Sequence, residues 1–451
     1  MAFLPHSKAT AEISSAVNSL PAQSRERKSA IPYGAGIFAN SILGETFFAF
    51  AFFYYVDYLG LAMVSAALVR TIFTFWDVID DPIMGFLSDR THSRWGRRRP
   101  WLLFAIPLIM LVFIALFAVP DTFREPSRLF MYMLVTMLVY ETLGAIIWVN
   151  YSSLYPELFK LHLERTRVAV FCQTGNILGV IVALVISPLL FQALGYSKMA
   201  LVYSLAALAL YIFALYFNRE GPAAPGRTLA EVLPTLRNIL SDRVFWLYAL
   251  LMTLTLFSTG LSIFALPFYV KYSLNRGSEV ISLLAGVALI AALLSMPVWS
   301  KLIRTWPLGK VYYLTAFLSC IGMLGMALSP TLMIAAVFFI WFGGTVQGIN
   351  VLNILIRAGL VSRNTNLTGK QNEASYYGLM NSSIRMIGVL QSLAMLLVGV
   401  LFGYVSGDQP GPNPGLAFRF LLGFLGVFSL CLAALVARTF FRAFSTSPTQ
   451  G

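Results

Sequence analysis

What a chain can fold into is narrowed most when its apolar residues come in runs as long as a lipid bilayer is thick. A helix crosses the hydrocarbon core with about 20 such residues. This sequence has runs of that kind near 33–58, 62–87, 101–120, 128–155, 167–194 and 198–217, and again near 244–272, 280–302, 311–329, 331–356, 374–405 and 416–440. Between the two sets, residues 218–243 are polar and hold Pro222, Pro225 and Gly226 with several charges. In hydrocarbon each backbone N–H and C=O must be satisfied internally, so the runs read as helices. The pattern predicts an all-α membrane protein of twelve transmembrane helices in two six-helix bundles, 31–217 and 244–441, joined by a linker at 218–243.

Composition removes the soluble alternatives. The chain is 58% hydrophobic and only 11% charged, against roughly 25% charged in a soluble domain. It cannot cover its surface against water and need not against lipid. Cys172, Cys320 and Cys431 lie inside apolar runs, where packing is expected rather than disulfides. His6, His92 and His162 fall in the N-terminal tail and two loops, so no metal centre is expected. Residues 1–30 are polar and basic, lack the apolar core of a signal peptide and read as a tail, as do 442–451.

The net charge of +13 is unevenly spread. With the N-terminus cytoplasmic, 24 Lys and Arg fall on the cytoplasmic side and six outside: Arg124, Arg128, Lys198, Lys271, Arg276 and Arg419. That bias is the positive-inside pattern. It predicts a multi-pass protein of the cell (inner) membrane with both termini cytoplasmic, and it reads as topology and attraction to anionic lipid rather than nucleic-acid binding. The loops Ser88–Pro100 and Ser300–Lys310 are short and basic, carry Trp and Gly, and occupy equivalent places in the two halves. Internal repeats of this kind suit two bundles that rock about a central site.

Charge inside a bilayer costs about 3 kcal/mol or more per residue and is retained mainly for function. Glu45, Asp77, Asp80, Asp81 and Glu141 fall within spans, with Arg70 and Arg385. Asp77 and Asp81 are four apart and share a helical face; Asp80 partly joins them. Their repulsion calls for a proton or a small hard cation between them. The plainer alternative is that these acids only pair with Arg70, Arg385 or loop arginines. Glu45 and Glu141 read as substrate or proton groups, or as partners of Arg70. A mid-span Arg385 needs an anion, either an acid of the second helix or a ligand. Trp148, Asn150 and Tyr151, with Tyr376 and Tyr377, are candidates for a mixed aromatic and polar substrate pocket. Asn350 and Asn353 read equally well as helix–helix hydrogen-bonding groups. In the loop after the second helix, Asp89, Arg94, Gly96, Arg97, Arg98 and Arg99 are candidates for a gate whose arginines pair with Asp89 and helix ends, beside a simple topology role.

At these residues the sequence resembles a known family. Trp76-Asp77-x-x-Asp80-Asp81-Pro82-Ile83-Met84-Gly85, followed by Ser93-Arg94-Trp95-Gly96-Arg97-x-x-Pro100-Trp101, is similar to the glycoside–pentoside–hexuronide:cation symporters of the major facilitator superfamily, and the loop also resembles sucrose carriers. The resemblance runs through most of the chain, from Tyr33-Gly34 to Glu373–Arg385. It implies alternating access, with uptake of a sugar-like small molecule driven by sodium or protons and no other cofactor. It also implies a protein that works as a single chain in the bilayer. Asp77 and Asp81 match the family's cation-site acids, and Arg385 falls where the family carries a lysine. The family's sugar-binding aspartates fall at Ser41 and Trp148, and a cation-binding threonine at Ala145, so the galactoside site is not carried over. Asp80 and Glu141 are additional acids, which tilts the reading toward protons. Lysophospholipid carriers on the same fold are the alternative. A remote one is an intramembrane prenyltransferase, whose second acidic motif the C-terminal half lacks.

Overall fold

The computed structural model describes residues 30–91, 93, 96–159, 162–218, 238–368, 373–405 and 410–445, with the side chains at 81, 82, 86, 89, 156, 157, 162, 163, 165, 166, 366–368, 373–375, 377 and 445 outside that description. Most of the predicted tails and of the linker therefore lie outside it, while Ala30 and residues 442–445, expected in the tails, are helical. Among the described residues, ten helices are long and apolar enough to cross a membrane. Two further long helical stretches complete a set of twelve among the described residues: 30–58, which passes through π-helical turns, and the charge-bearing Met63–Asp89.

In chain order the helices are α1 (30–58), α2 (Met63–Asp89), α3 (Arg99–Phe117), α4 (Pro126–Leu158), α5 (162–194) and α6 (Tyr196–Phe217). The second half holds α7 (Arg243–Ser273), α8 (Glu279–Thr305), α9 (Leu308–Leu328), α10 (Leu332–Thr368), α11 (373–402, interrupted at Met386) and α12 (414–445). Most ends fall within a few residues of the apolar runs. The main departure is α10, which continues about a dozen residues past 356: hydropathy marks the lipid, not the end of the helix, and Arg357 and Arg363 find partners there in Asn381 and Asp242.

Each half packs chiefly on itself. In the first, α1 lies against α5 and α6, α2 against α4, and α3 against α4 and α6. In the second, α8 and α9 pack on α10, and α7 and α9 on α12. Lipid tails are as apolar as leucine, so such contacts rely on close van der Waals fit and interhelical hydrogen bonds. Where α1 crosses α5, a Cβ at Gly175 would sit 2.5 Å from the Gly34 carbonyl oxygen, so only hydrogen fits. Asn353 accepts from Tyr248 at 3.0 Å and ties α10 to α7, the helix–helix role that was one of its two readings.

Among the described residues, three sets of helix contacts join the halves most extensively. α11 lies along α2, α5 meets α8 through its 182–194 portion, and α7 touches the 47–51 turn of α1. The latter two lie toward one end, where α1 finishes. Replacing Gly175 by Leu forces α1 and α5 apart; the expected cost is about 1–3 kcal/mol, read as a lower midpoint of thermal unfolding in detergent. An unchanged midpoint would mean the crossing is not close-packed.

Candidate functional site

A cavity of about 790 Å³ enters the first half between α1, α2, α4 and α5. Its wall starts at Tyr33, Tyr155 and Ala169, near the end where α1 begins, and reaches inward to Asp77 and Arg385. Among the described lining residues Arg385 alone comes from the second half. Asn40, Ser41, Gln173, Asn176 and Ser152 give the wall hydrogen-bonding groups, and Ser41 donates to Asn176 Oδ1 at 2.7 Å. The Trp148 ring belongs to the wall and is 43% exposed.

At the inner face of the cavity the charges converge. Asp77, Asp80 and Glu141 each place a carboxylate oxygen within 4.8 Å of the others. Asp77 forms an ion pair with Arg385, whose Nη1 also donates to the Asp77 carbonyl at 2.6 Å and stands 3.9 Å from Glu141 Oε1. α2 brings Asp77 and Asp80 to nearly one face, three residues apart, and α4 supplies Glu141 across the α2–α4 contact. Trp76 pins that contact by donating to Thr142 Oγ1 at 2.8 Å. Three carboxylates this close cannot all be charged without compensation. Arg385 offsets one charge, and oxygen ligands of this kind suit a proton or a hard cation for the rest.

The predicted residues are thus sorted. Asp77, Asp80, Glu141 and Arg385 meet; Glu45, Ser41 and Trp148 line the same cavity. The side chains of Asp81, Asp89 and Tyr377, and residue Arg94, lie outside the description. Asn150 is fully buried and turns its amide back to the Ile146 carbonyl; Tyr151 is buried, stacks on Tyr33 and donates to the Tyr33 carbonyl. Neither belongs to the described cavity wall: Asn150 is held by its own helix and Tyr151 by its contacts with α1. Tyr376 likewise packs edge-on against Phe245. Arg70 does not partner Glu45 or Glu141. It donates to Gln391 and stands over the Phe264 ring, 4.5 Å from its centroid.

In the loop, Gly96 sits at φ +104°, closing a turn onto the Ser93 carbonyl that a side chain would strain. Arg97 and Arg98 are buried, and Arg99 donates to the Leu215 carbonyl of α6, within its own half.

Hydropathy alone missed the far end. Asp57, 8% exposed at the end of α1, accepts from Lys271 at 2.6 Å and from the Tyr272 hydroxyl, both on α7. Beneath it Phe52 and Phe53 pack on Phe264 and Phe268, and to the side Gln192 donates to Glu279 at 3.0 Å. The halves are therefore closed here and hold the cavity on the other side. An acid on α1 and a lysine on α7 at corresponding depths were the available signal.

The whole described helical region, residues 32–445, matches the MFS/sugar transport protein family. The chain belongs to that family. This agrees with the resemblance carried by the second helix and its loop, and it places the chain among transporters rather than enzymes, which removes the prenyltransferase reading. A symporter of Synechocystis is 32% identical over 39% of this chain and 33% of its own length. The isoprimeverose transporter of Lactiplantibacillus pentosus is 29% identical over 41% and 40%. The sodium-dependent lysophosphatidylcholine symporter 1 of Mus musculus is 29% identical over 33% and 29%. The chain thus aligns with well under half the length of these curated relatives. Among solved structures, a bacterial homologue of the lysosomal transporter Spinster in an inward-facing, unoccupied conformation superposes with a TM-score of 0.68 at 13% identity, over 93% of this chain and 96% of that one, a likeness of fold.

The Asp77–Arg385 pair predicts a specific stability pattern. Arg385→Gln leaves the Asp77, Asp80 and Glu141 carboxylates without the Arg385 counter-charge in a low-dielectric site, whereas Arg385→Gln with Asp77→Asn also removes the acid that Arg385 pairs with. The single variant should be less stable than the double by about 1–3 kcal/mol, measured by thermal unfolding in detergent. Equal stabilities would mean the pair carries no net coupling.

Proposed function

We propose that this protein is a cation-coupled symporter that moves a sugar-like small solute across the cell membrane by alternating access, as a single chain with both termini cytoplasmic. The observation that carries the reading is the meeting of Asp77, Asp80 and Glu141 from one half with Arg385 from the other, at the inner face of a polar cavity. A proton or Na+ entering the acid cluster neutralises the repulsion among the carboxylates and competes with Arg385 for Asp77. The hold of α11 on α2 then depends on ion occupancy, which is what coupling requires: the ion must favour one arrangement of the halves over the other. The wall supports the cargo class. Trp148 offers a face for the apolar side of a sugar ring, and Asn40, Ser41, Gln173 and Asn176 offer hydroxyl partners. With α1 beginning in the cytoplasm, the described state is open inward and closed outside by Asp57, Lys271 and the phenylalanines.

A second reading is favoured by a specific feature, a smaller chamber of about 260 Å³ walled largely by Phe47, Phe48, Phe52, Phe73, Ile384 and Ile387. It adjoins the cavity at Asp77 and Arg385 and suits the apolar part of an amphiphile such as a lysolipid.

Proteoliposomes offered hexoses, pentoses, glycosides and a lysophospholipid, under a sodium gradient and separately a proton gradient, decide between them. Gradient-driven accumulation of a glycoside or pentose is expected, lost at least tenfold in Asp77→Asn and Asp80→Asn while cargo binding persists. Uphill uptake undiminished in both variants would refute the coupling role. Lysophospholipid as the sole accumulated cargo would select the second reading.

The outer closure is testable separately. Lys271 is half-exposed, so its pair with Asp57 is worth only about 1 kcal/mol. Asp57→Asn should then raise outside labelling of a Phe53→Cys probe, in a background lacking the native cysteines, by about fivefold. Swapping the charges (Asp57→Lys with Lys271→Asp) should restore slow labelling. Labelling that ignores both changes would assign the closure to the aromatic packing alone.

A further inference from the structure

Beyond the Asp77–Arg385 pair lies a charge that the coupling scheme does not use. The wall of the 260 Å³ chamber shares Asp77, Arg385 and Phe48 with the large cavity and then continues along α1 to Phe52, along α2 back to Arg70 and along α11 on to Gln391. α2 and α11 are antiparallel here, in a register that sets Asp77 against Arg385, Thr74 against Gly388 and Arg70 against Gln391. All three helices place the chamber farther along the path, between the large cavity and the outer closure.

Of the two arginines in this chamber's wall, Arg70 is the one that no described carboxylate pairs with. A guanidinium carries five N–H donors in a planar fork and does not lose its proton. Here it has one acceptor, Gln391 Oε1, and the faces of Phe264 and Phe52. Its Nε is buried without a hydrogen-bond partner, and among the described residues no carboxylate pairs with it. The nearest acid along α2, Asp77, is two turns away and engaged by Arg385. A full charge in a membrane interior held only by an amide and two rings is expensive, and the space beside it is large enough for a small anionic group.

We propose that Arg70 and the chamber it lines form an anion subsite, which receives a carboxylate or phosphate group carried by the cargo. This rests on the reading of the large cavity as the cargo path, and it adds the charge of the cargo. The fork of Arg70 suits two-point binding of such an oxyanion, Gln391 holds the fork toward the chamber, and Arg385 screens the oxyanion from Asp77. Because Arg70 belongs to the first half and Gln391, Gly388 and Ile387 to the second, an anion bound there touches both halves at once.

The test is equilibrium binding to the purified full chain in detergent, without any gradient, so that it does not depend on coupling. The probes are matched pairs: a hexose with its hexuronate and its 6-phosphate, a lysophosphatidylcholine with a monoacylglycerol, and inorganic phosphate alone. The anionic member of at least one pair should bind at least tenfold more tightly than its neutral mate. That preference should vanish in Arg70→Gln and weaken several-fold both in Arg70→Lys and in Gln391→Leu, which keeps the charge but releases the fork. The pair that shows it tells a carboxylate from a phosphate and a sugar from a lipid. If Arg70→Gln does not fold, the Lys and Leu variants carry the test. Equal binding of neutral and anionic mates, a preference that survives loss of Arg70, or no binding of any anionic probe would overturn the proposal. Failure of gradient-driven uptake with the preference intact would count against symport alone.

Discussion

The contact on which the arrangement of the two halves turns is the Arg385–Asp77 pair. Either charge alone in a membrane interior is costly; together, and with Glu141 at 3.9 Å from Arg385 Nη1, they are tolerable. Because one charge sits on α2 and the other on α11, that electrostatic need also holds the two bundles in register along their antiparallel seam. Gly388, packed on Thr74, lets the helices approach closely enough for the pair to form.

The two halves contribute differently around that seam. The first supplies nearly the whole cavity wall, the acid cluster and Trp148. The second supplies the counter-charge and the partners that close the far end, Lys271, Tyr272, Phe264 and Phe268. Under the proposed function, cargo is recognised chiefly by one bundle, and the other reports on it through a few charged and aromatic contacts. Such a division favours rigid-body movement, since the contacts that must break are few and lie at the ends and along one seam.

The candidate site was legible in part, for identifiable reasons. Acids within apolar runs stand out because hydrocarbon penalises them, so Asp77, Asp80 and Glu141 were visible before any coordinates. Helical spacing pointed to Asp81 as the partner of Asp77, and the Asp81 side chain lies outside the described residues. Among those described, the cluster holds Asp80 and, through the α2–α4 contact, Glu141, which spacing along α2 could not reveal. Asn150 and Tyr151 looked like pocket residues by composition. Asn150 is tied to the Ile146 carbonyl of its own helix, and Tyr151 is stacked on Tyr33 of α1, next to the described wall and not in it. Asp57 and Lys271 were overlooked because each sits at a span end, where charge is ordinary. Only the approach of α1 to α7 turns them into a closure.

By itself the sequence determined the number of crossings, their approximate ends, the two-part layout and the positions where charge enters the membrane. These follow from local quantities: the length of an apolar run, the cost of charge in lipid and the bias of basic loops. Tertiary structure alone decided which charges pair, which polar groups share a cavity, and that the protein is closed at the Asp57 end in the described state. Pairing depends on helix rotation and on crossings between residues as distant as 77 and 385, set by close packing at small residues such as Gly34, Gly175 and Gly388. A pattern read along one helix at a time carries no information about which neighbour it will face.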